Sequence, residues 1–179
     1  MTAAFAGALA CVGLMRLGEL AWSRARFAQA LPEPALFPAM ATLHLGLVTL
    51  PIAEVLVLDR EPHLWRGAVA AAVLAIALAL RAWTLGTLKR AFNVRVVTPP
   101  TIVTTGPYRY IRHPNYLVVI LEIASLPMLH DAYFSALLLS LANLAVLTVR
   151  IRNEEAMLGQ LPVWRDAFSN RARLLPGVW

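Results

Sequence analysis

The stretch "AYFSALLLSLANLAVLTV", residues 132–149, decides the fold, because it contains no charged side chain over its whole length. A run of about 20 apolar residues crosses the hydrocarbon core of a bilayer as one helix. Residues 34–53 also lack charge, and residues 67–88 and 113–130 carry one formally charged side chain each. Only 15% of the chain is charged, whereas soluble domains carry about a quarter. The composition therefore indicates an integral membrane protein.

The apolar runs predict an all-α integral membrane protein that folds as a single domain over residues 1–179. The first run contains Arg16 and Glu19, and a signal peptide is the competing interpretation. No Lys or Arg precedes Arg16, so the basic n-region of a signal peptide is missing and we interpret the run as a span. About five transmembrane helices are expected, at residues 2–22, 37–57, 65–88, 115–129 and 132–152.

The positive charges are distributed unevenly between the two ends of these spans. Of the sixteen Lys and Arg residues, twelve fall in the first and third loops and the C-terminal tail, and two fall in the second loop. The positive-inside rule then predicts a cytoplasmic C-terminus and an outside N-terminus. This topology explains the basic isoelectric point of about 10.4 without a nucleic-acid partner. The high Ala, Leu and Arg content is typical of a GC-rich bacterial genome, which favours a bacterial inner membrane.

Several polar side chains fall inside the predicted spans. A charge at the bilayer centre costs about 2.5–3.5 kcal/mol on insertion scales, so such residues usually pair or mark a site. Arg16 and Glu19 are three residues apart and can pair on one helix. His44 is interpreted as a satisfied interior histidine, with catalysis as the alternative. The other charged residues inside or near the spans are Glu54, Arg81 and Glu122.

Two polar segments stand out against this apolar background. The loop segment "GPYRYIRHPNYL", residues 106–117, ends a stretch with four prolines in sixteen residues, which predicts a stiff, non-helical loop. The tail segment "RIRNEEAML", residues 150–158, places Glu154 and Glu155 side by side. Adjacent helical residues point about 100° apart, so only one of the two faces a given ligand. Such an acid accepts hydrogen bonds from hydroxyls or an amine, although the pair taken alone is better interpreted as a solvated charge patch.

Taken together, the two segments resemble the isoprenylcysteine carboxyl methyltransferase family, whose wider group includes the membrane phospholipid methyltransferases. They lie some forty residues apart with a helical hairpin between them, and the resemblance covers residues 84–177, including "LGTLKRAFNVRV" and "RLLPG". The resemblance implies S-adenosylmethionine as the cofactor, in a cytoplasmic pocket built from the loop before the fourth helix and the C-terminal tail. No glycine-rich Rossmann fingerprint occurs in the chain.

The resemblance also implies which residues form this pocket. His113 is expected to hydrogen-bond the cofactor's carboxylate rather than act as a general base. The tyrosines are candidates for cation–π contact with the sulfonium. Val118 and Val119 stand where the family often has a glycine, which puts local contacts there in question. The implied cofactor-binding residues are Tyr108, Arg112, His113, Pro114, Tyr116, Leu117, Glu154, Glu155 and Leu158.

The methyl acceptor is expected to be lipophilic and to come from the bilayer, as a prenyl-type or other small molecule or a membrane lipid. A prenylcysteine carboxylate is already ionised and needs no base, whereas a phenol with a pKa near 10 does. The short form and "FNVRVV" are similar to bacterial relatives that methylate phenolic lipids or alkylpyrones, so a hydroxyl or carboxyl acceptor is favoured. Alternatives are phospholipid N-methylation, a reductase-like relative or a scaffold. The candidate catalytic residues are Arg95 and Arg173, or alternatively Arg81, for stabilising a phenolate, and Glu122 or Glu155 for taking the proton.

Overall fold

The computed structural model describes residues 1–24, 35–95 and 101–175. The predicted loop residues 96–100 and the end of the "RLLPG" segment lie outside these ranges. Within the ranges the chain is helical, with two short 3₁₀ turns at Lys89–Ala91 and Gly106–Arg109 and no strand longer than an isolated bridge. The helices are α1 (Ala3–Ser23), α2 (Leu36–Val57), α3 (Leu64–Leu88), α4 (Pro114–Met128), α5 (Tyr133–Leu158) and α6 (Pro162–Phe168).

The predicted all-helical membrane architecture is confirmed, and four of the helices are long and apolar enough to cross a bilayer. These are α1, α2, α3 and α5. Helix α4 has 15 residues, a rise of about 22 Å, which is short of the roughly 30 Å hydrocarbon core. Helix α5 continues to Leu158, six residues beyond the predicted end at residue 152. Both members of the glutamate pair are therefore helical.

The short helix α4 packs between α3 and α5, while α2 lies against α5 and α1 against α2. Side chains from all five long helices, α1 to α5, share one buried apolar core, which includes Phe5, Leu47, Leu74, Ile123 and Leu139. Many other leucines point outward and remain exposed, as expected for a surface in contact with lipid tails. Examples of outward-facing leucines are Leu14, Leu17, Leu45, Leu137, Leu138 and Leu141.

Four charged side chains tie α1, α3 and α4 together, and we call them the charge quartet: the half-buried Arg16 and the buried Glu19, Arg81 and Glu122. Arg81 Nε donates to Glu122 at 2.9 Å, and Arg81 Nη1 pairs with Glu19. Arg16 donates to Glu19 at 3.2 Å and also pairs with Glu122. The local pairing of Arg16 and Glu19 is thus confirmed, within a larger network. Two cations neutralise two carboxylates, which lowers the cost of placing them in the membrane.

Glu54, the remaining predicted intramembrane acid, holds the start of α5. Its carboxylate accepts from the backbone N–H groups of Phe134 and Ser135 at 3.2 and 2.7 Å. Arg60 approaches the same carboxylate at 3.4 Å. A negative side chain at a helix N-terminus satisfies donors that lack intrahelical partners. Glu54 therefore sets the position of α5, which carries the glutamate pair at its other end.

Candidate active site

The stiff loop segment is held in place by the C-terminal tail. The backbone N–H groups of Arg112 and His113 donate to the carbonyls of Ala172 and Arg173 at 2.9 and 3.0 Å. The chain enters this segment at Gly106, which has a φ of +59°. A Cβ at Gly106 would collide with the Thr87 side chain, so the turn requires glycine. Pro114 then occupies the first turn of α4, where its missing N–H costs nothing.

Glu155 connects the loop, α5 and the tail. Its carboxylate accepts from His113 Nε2 at 3.1 Å, from Arg112 Nη1 at 3.3 Å and from Arg173 Nε at 2.8 Å. Since a carboxylate only accepts, His113 Nε2 carries the hydrogen of this bond. The imidazole also stacks on Tyr116, with the ring centroids 5.3 Å apart. The orientation of His113 is therefore set by Glu155 and Tyr116 together.

Glu154 makes a separate set of contacts on the neighbouring face of α5. The hydroxyl of Tyr116 donates to Glu154, and Arg150 Nε donates to the same hydroxyl at 3.0 Å. Arg150 also reaches the Val94 carbonyl at 2.6 Å and contacts the sulfur of Met40. The expectation that the two glutamates face different ways is confirmed. We call the residues joined by these contacts the tail network: Arg112, His113, Tyr116, Arg150, Glu154, Glu155 and Arg173.

A cavity of about 620 Å³ lies beside the tail network. One part of its wall comes from the loop, the end of α5 and α6, and it includes Tyr108, Glu154 and the aromatic rings of Trp164 and Phe168. The other part lies between α1 and α2 and is mostly apolar. Its residues include Val12, Gly13, Leu17, Leu45, Leu47 and Val48.

The apolar part of the cavity reaches the outer surface of the helical bundle. Leu17 of α1 and Leu45 of α2 both line the cavity, and they are 63% and 65% exposed. The outer surface at these positions is the one that would contact lipid tails. Exposed apolar side chains of α1 and α2 therefore border this part of the cavity.

The structure brings most of the predicted site residues to this cavity. Glu155 and Arg173 lie behind the wall and do not line the cavity. Glu155 contacts the wall residue His113, and Arg173 contacts Glu155. Pro114 and Leu117 do not line it. Glu122 is fully buried in the charge quartet, where both carboxylate oxygens are taken by guanidinium groups. Glu122 therefore has a structural role, in ion pairs with Arg16 and Arg81. The predicted residues in the wall are Arg95, Tyr108, Arg112, His113, Tyr116, Glu154 and Leu158.

Burial affects the chemistry of Tyr108 in this wall. Loss of solvent, and secondarily the neighbouring carboxylate of Glu154, raises the pKa of the Tyr108 phenol. Both causes disfavour a phenolate. Tyr108 therefore stays protonated at physiological pH and presents an O–H donor beside the cavity.

Other wall residues were not predicted as site residues from the sequence. Asn93 Nδ2 and Asn115 Oδ1 are buried and have no hydrogen-bond partner among the described residues. Asn115 lies within the motif itself, so its position in "RHPNY" was an available signal. Trp164 and Phe168 are four residues apart on α6, with ring centroids at 5.4 Å, and that helical spacing was likewise visible. Nothing in the local sequence marked Asn93.

Comparisons with known proteins identify the family of the chain. The model of the isoprenylcysteine carboxyl methyltransferase (ICMT) family matches residues 69–160, from α3 to the end of α5. The chain is similar to the uncharacterized protein YpbQ of Bacillus subtilis (strain 168), with 37% identity over 129 residues, 71% of this chain and 76% of the relative. An uncharacterized protein of Haemophilus influenzae is 31% identical over 93 residues, 50% of this chain and 54% of that protein. The chain therefore belongs to the isoprenylcysteine carboxyl methyltransferase family, a family of membrane methyltransferases.

Proposed function

We propose that the protein is an S-adenosylmethionine-dependent O-methyltransferase that acts on a lipophilic acceptor at the membrane interface. The observation that carries this proposal is the continuous cavity, with a polar and aromatic wall at the tail network and an apolar wall between α1 and α2. A polar cofactor requires the polar and aromatic wall, and a lipophilic acceptor requires the apolar wall next to it. Pockets of about 300–1,000 Å³ are typical for ligands of this size.

The chemistry of the wall fits the proposed cofactor. Asn115 Oδ1 is a buried acceptor and Asn93 Nδ2 a buried donor, and neither is used within the described residues. They suit an ammonium or hydroxyl and a carboxylate, respectively. Glu154 suits ribose hydroxyls. The rings of Trp164, Phe168 and Tyr108 suit adenine or a sulfonium.

When bound, the cofactor would supply an electrophilic methyl group on a positively charged sulfur. The contribution of the chain is to hold both reactants in position, an effect that accounts for a large part of the barrier reduction in such displacements. Glu155 accepts the Nε2 hydrogen of His113 and fixes the orientation of the ring. In the neutral ring this leaves Nδ1 as an acceptor, which suits the ammonium group of the cofactor rather than its carboxylate. Arg95 is the candidate catalytic residue that lines the cavity. Arg173 would act through its 2.8 Å contact with Glu155, not on the acceptor directly.

We extend the proposal to orientation: a bacterial inner membrane protein with its C-terminus in the cytoplasm. The second loop carries two of the sixteen Lys and Arg residues, Arg60 and Arg66, whereas the first and third loops and the tail carry twelve. The end that carries the tail network keeps an excess of arginines. Such an excess favours the cytoplasmic side, where the cofactor is made available.

The proposal is tested by isothermal titration of S-adenosylmethionine into the protein in lipid nanodiscs. We expect saturable binding to the wild type and binding at least about 30-fold weaker in Glu155→Ala, since loss of one partner in a buried charged network costs about 2–5 kcal/mol. Glu61→Ala is the control, because Glu61 is exposed in the loop between α2 and α3. A folded wild type that binds neither S-adenosylmethionine nor its demethylated product would refute the proposal.

A further inference from the structure

His44 lines the cavity from α2, and only one of its two ring nitrogens is used. Nδ1 lies 2.7 Å from the carbonyl oxygen of Met40. A carbonyl only accepts, so Nδ1 carries the hydrogen and, in the neutral ring, Nε2 keeps a lone pair. Nε2 is buried and has no hydrogen-bond partner among the described residues. The interpretation of His44 as a satisfied interior histidine is therefore wrong for Nε2.

A matching donor lies on the opposite helix. Arg16 of α1 also lines the cavity, and its Nε is buried with no hydrogen-bond partner within the described parts of the chain. His44 and Arg16 line the same cavity, one from α2 and the other from α1. The terminal nitrogens of Arg16 are held by Glu19 and Glu122, so its guanidinium is anchored. A buried acceptor and a buried donor on two side chains that line one cavity are both satisfied by a group that donates and accepts, as a hydroxyl does.

The position of His44 relates this pair to the tail network. Met40, which orients His44, also contacts Arg150, and Arg150 holds the Tyr116 hydroxyl. His44 therefore stands where the apolar part of the cavity meets the wall assigned to the cofactor. It lies eight residues into α2, about 12 Å from the start of that helix. At this depth a charged phospholipid headgroup is costly to place, whereas a hydroxyl on an apolar molecule is not.

We infer that the methyl acceptor is the hydroxyl or phenol of a lipophilic molecule, bound between Arg16 Nε–H and His44 Nε2, with His44 as the catalytic base. The inference rests on the proposed methyltransferase function. The acceptor oxygen bonds to the methyl carbon as its proton passes to Nε2. The electron pair of the breaking carbon–sulfur bond stays on the sulfur of the sulfonium donor. The products are a methyl ether, a neutral thioether and an imidazolium that releases its proton.

The same geometry disfavours a carboxylate acceptor. An ionised carboxylate presents only lone pairs, and it would meet the lone pair of Nε2 without a hydrogen between them. A phenol or alcohol instead supplies that hydrogen and accepts one from Arg16. The Arg16–His44 pair thus selects a protic oxygen, which narrows the proposed acceptor from a hydroxyl or carboxyl to a hydroxyl.

The test uses the full chain in nanodiscs with dodecylphenol and dodecanoic acid as matched probes. His44→Asn keeps a donor for the Met40 carbonyl but has no atom at Nε2, and His44→Gln is the second variant. His63→Asn is the control, because that side chain is 59% exposed at the other end of the bundle. The measurements are thermal stability, the Kd of S-adenosylmethionine, the Kd of dodecylphenol, and transfer of a labelled methyl group.

The expected result is methylation of dodecylphenol by the wild type that falls about 100-fold or more in both His44 variants, as for loss of a general base. Dodecylphenol should bind about tenfold more weakly to them, with stability and S-adenosylmethionine binding unchanged. Two results would overturn the inference and leave the methyltransferase proposal standing. One is that the wild type and the His44 variants bind and methylate dodecylphenol equally well, as expected if only a water molecule bridges Arg16 and His44. The other is methylation of dodecanoic acid but not of dodecylphenol. Failure of the wild type to bind S-adenosylmethionine would overturn both proposals.

Discussion

The charge quartet and the tail network use the same residue types in opposite ways. The quartet joins two arginines to two glutamates, and its members contact one another across α1, α3 and α4. The tail network sets three guanidinium groups and His113 against Glu154 and Glu155, and part of it lines a cavity. A balanced cluster stabilises helix packing, although two of its members, Arg16 and Glu19, also line the cavity. A cluster with excess positive charge beside a cavity is suited to hold an anionic group such as the carboxylate of the proposed cofactor.

The largest expected effect comes from breaking the quartet. Arg81→Leu should lower the free energy of unfolding by about 3–5 kcal/mol, because it leaves the carboxylates of Glu19 and Glu122 buried without their main partner. Denaturant unfolding in detergent micelles measures this effect. Arg152→Leu is the control, since Arg152 is exposed on α5. Equal stability of the two variants would contradict a structural role for the quartet.

Breaking the tail network should affect cofactor binding more than stability. His113→Ala removes the group that Glu155 orients, and we expect S-adenosylmethionine to bind at least about 30-fold more weakly. The binding constant is measured by isothermal titration, with His63→Ala as the matched histidine control. The assignment of His113 to the pocket fails if both variants bind like the wild type.

A smaller change sharpens the comparison within the tail network. Tyr116→Phe removes the hydroxyl that bridges Glu154 and Arg150, so S-adenosylmethionine should bind about five- to tenfold more weakly. Tyr133→Phe is a matched control, because it removes a hydroxyl that accepts from Arg60 at 2.6 Å, near the start of α5 and away from the cavity. Similar losses of affinity in both variants would argue against a local role for Tyr116.

The smallest expected effect is a pH dependence due to Tyr108. The pKa of its phenol is raised in the folded protein by burial and by Glu154, so the native state keeps this proton after the unfolded chain has lost it. The contribution of Tyr108 to stability is therefore fully present below about pH 10 and is lost as pH rises above that value. Melting temperatures measured from neutral pH to about pH 12 should fall less steeply in Tyr108→Phe. Tyr110→Phe, at a 59% exposed tyrosine, should melt like the wild type over the whole range.

The helices were largely predictable because a membrane span is a local property. Long apolar runs had to be helical, since lipid satisfies no backbone hydrogen bond, and the first four helices begin and end within about two residues of the prediction. The end of α5 was predicted too early, because Arg150, Arg152 and the glutamate pair interrupt the hydrophobic pattern. The helix continues through them because Arg150, Glu154 and Glu155 find partners in the loop and the tail.

The candidate site was predictable only in part. The motif identified His113 and Tyr116, and the glutamate spacing indicated that Glu154 and Glu155 face different ways. Glu122 was a candidate proton acceptor because it is an acid inside a span, yet its partners Arg16 and Arg81 lie 106 and 41 residues away in the chain. No local sequence pattern predicts which intramembrane charges will pair with one another. His44 was interpreted as a satisfied interior histidine, with catalysis as the alternative, because the cavity that it shares with Arg16 of α1 is not visible in the local sequence.

The amino-acid sequence by itself determined that this chain is a helical membrane protein with a stiff, cation-rich loop and an acidic helix end, because these features depend on hydrophobicity, proline and helical periodicity over a few residues. Only the tertiary structure decided which charges pair with one another, which charged residues line the cavity, and that Arg16 and His44 line the same cavity. Those outcomes depend on contacts between residues far apart in the chain, and packing of the helices sets them.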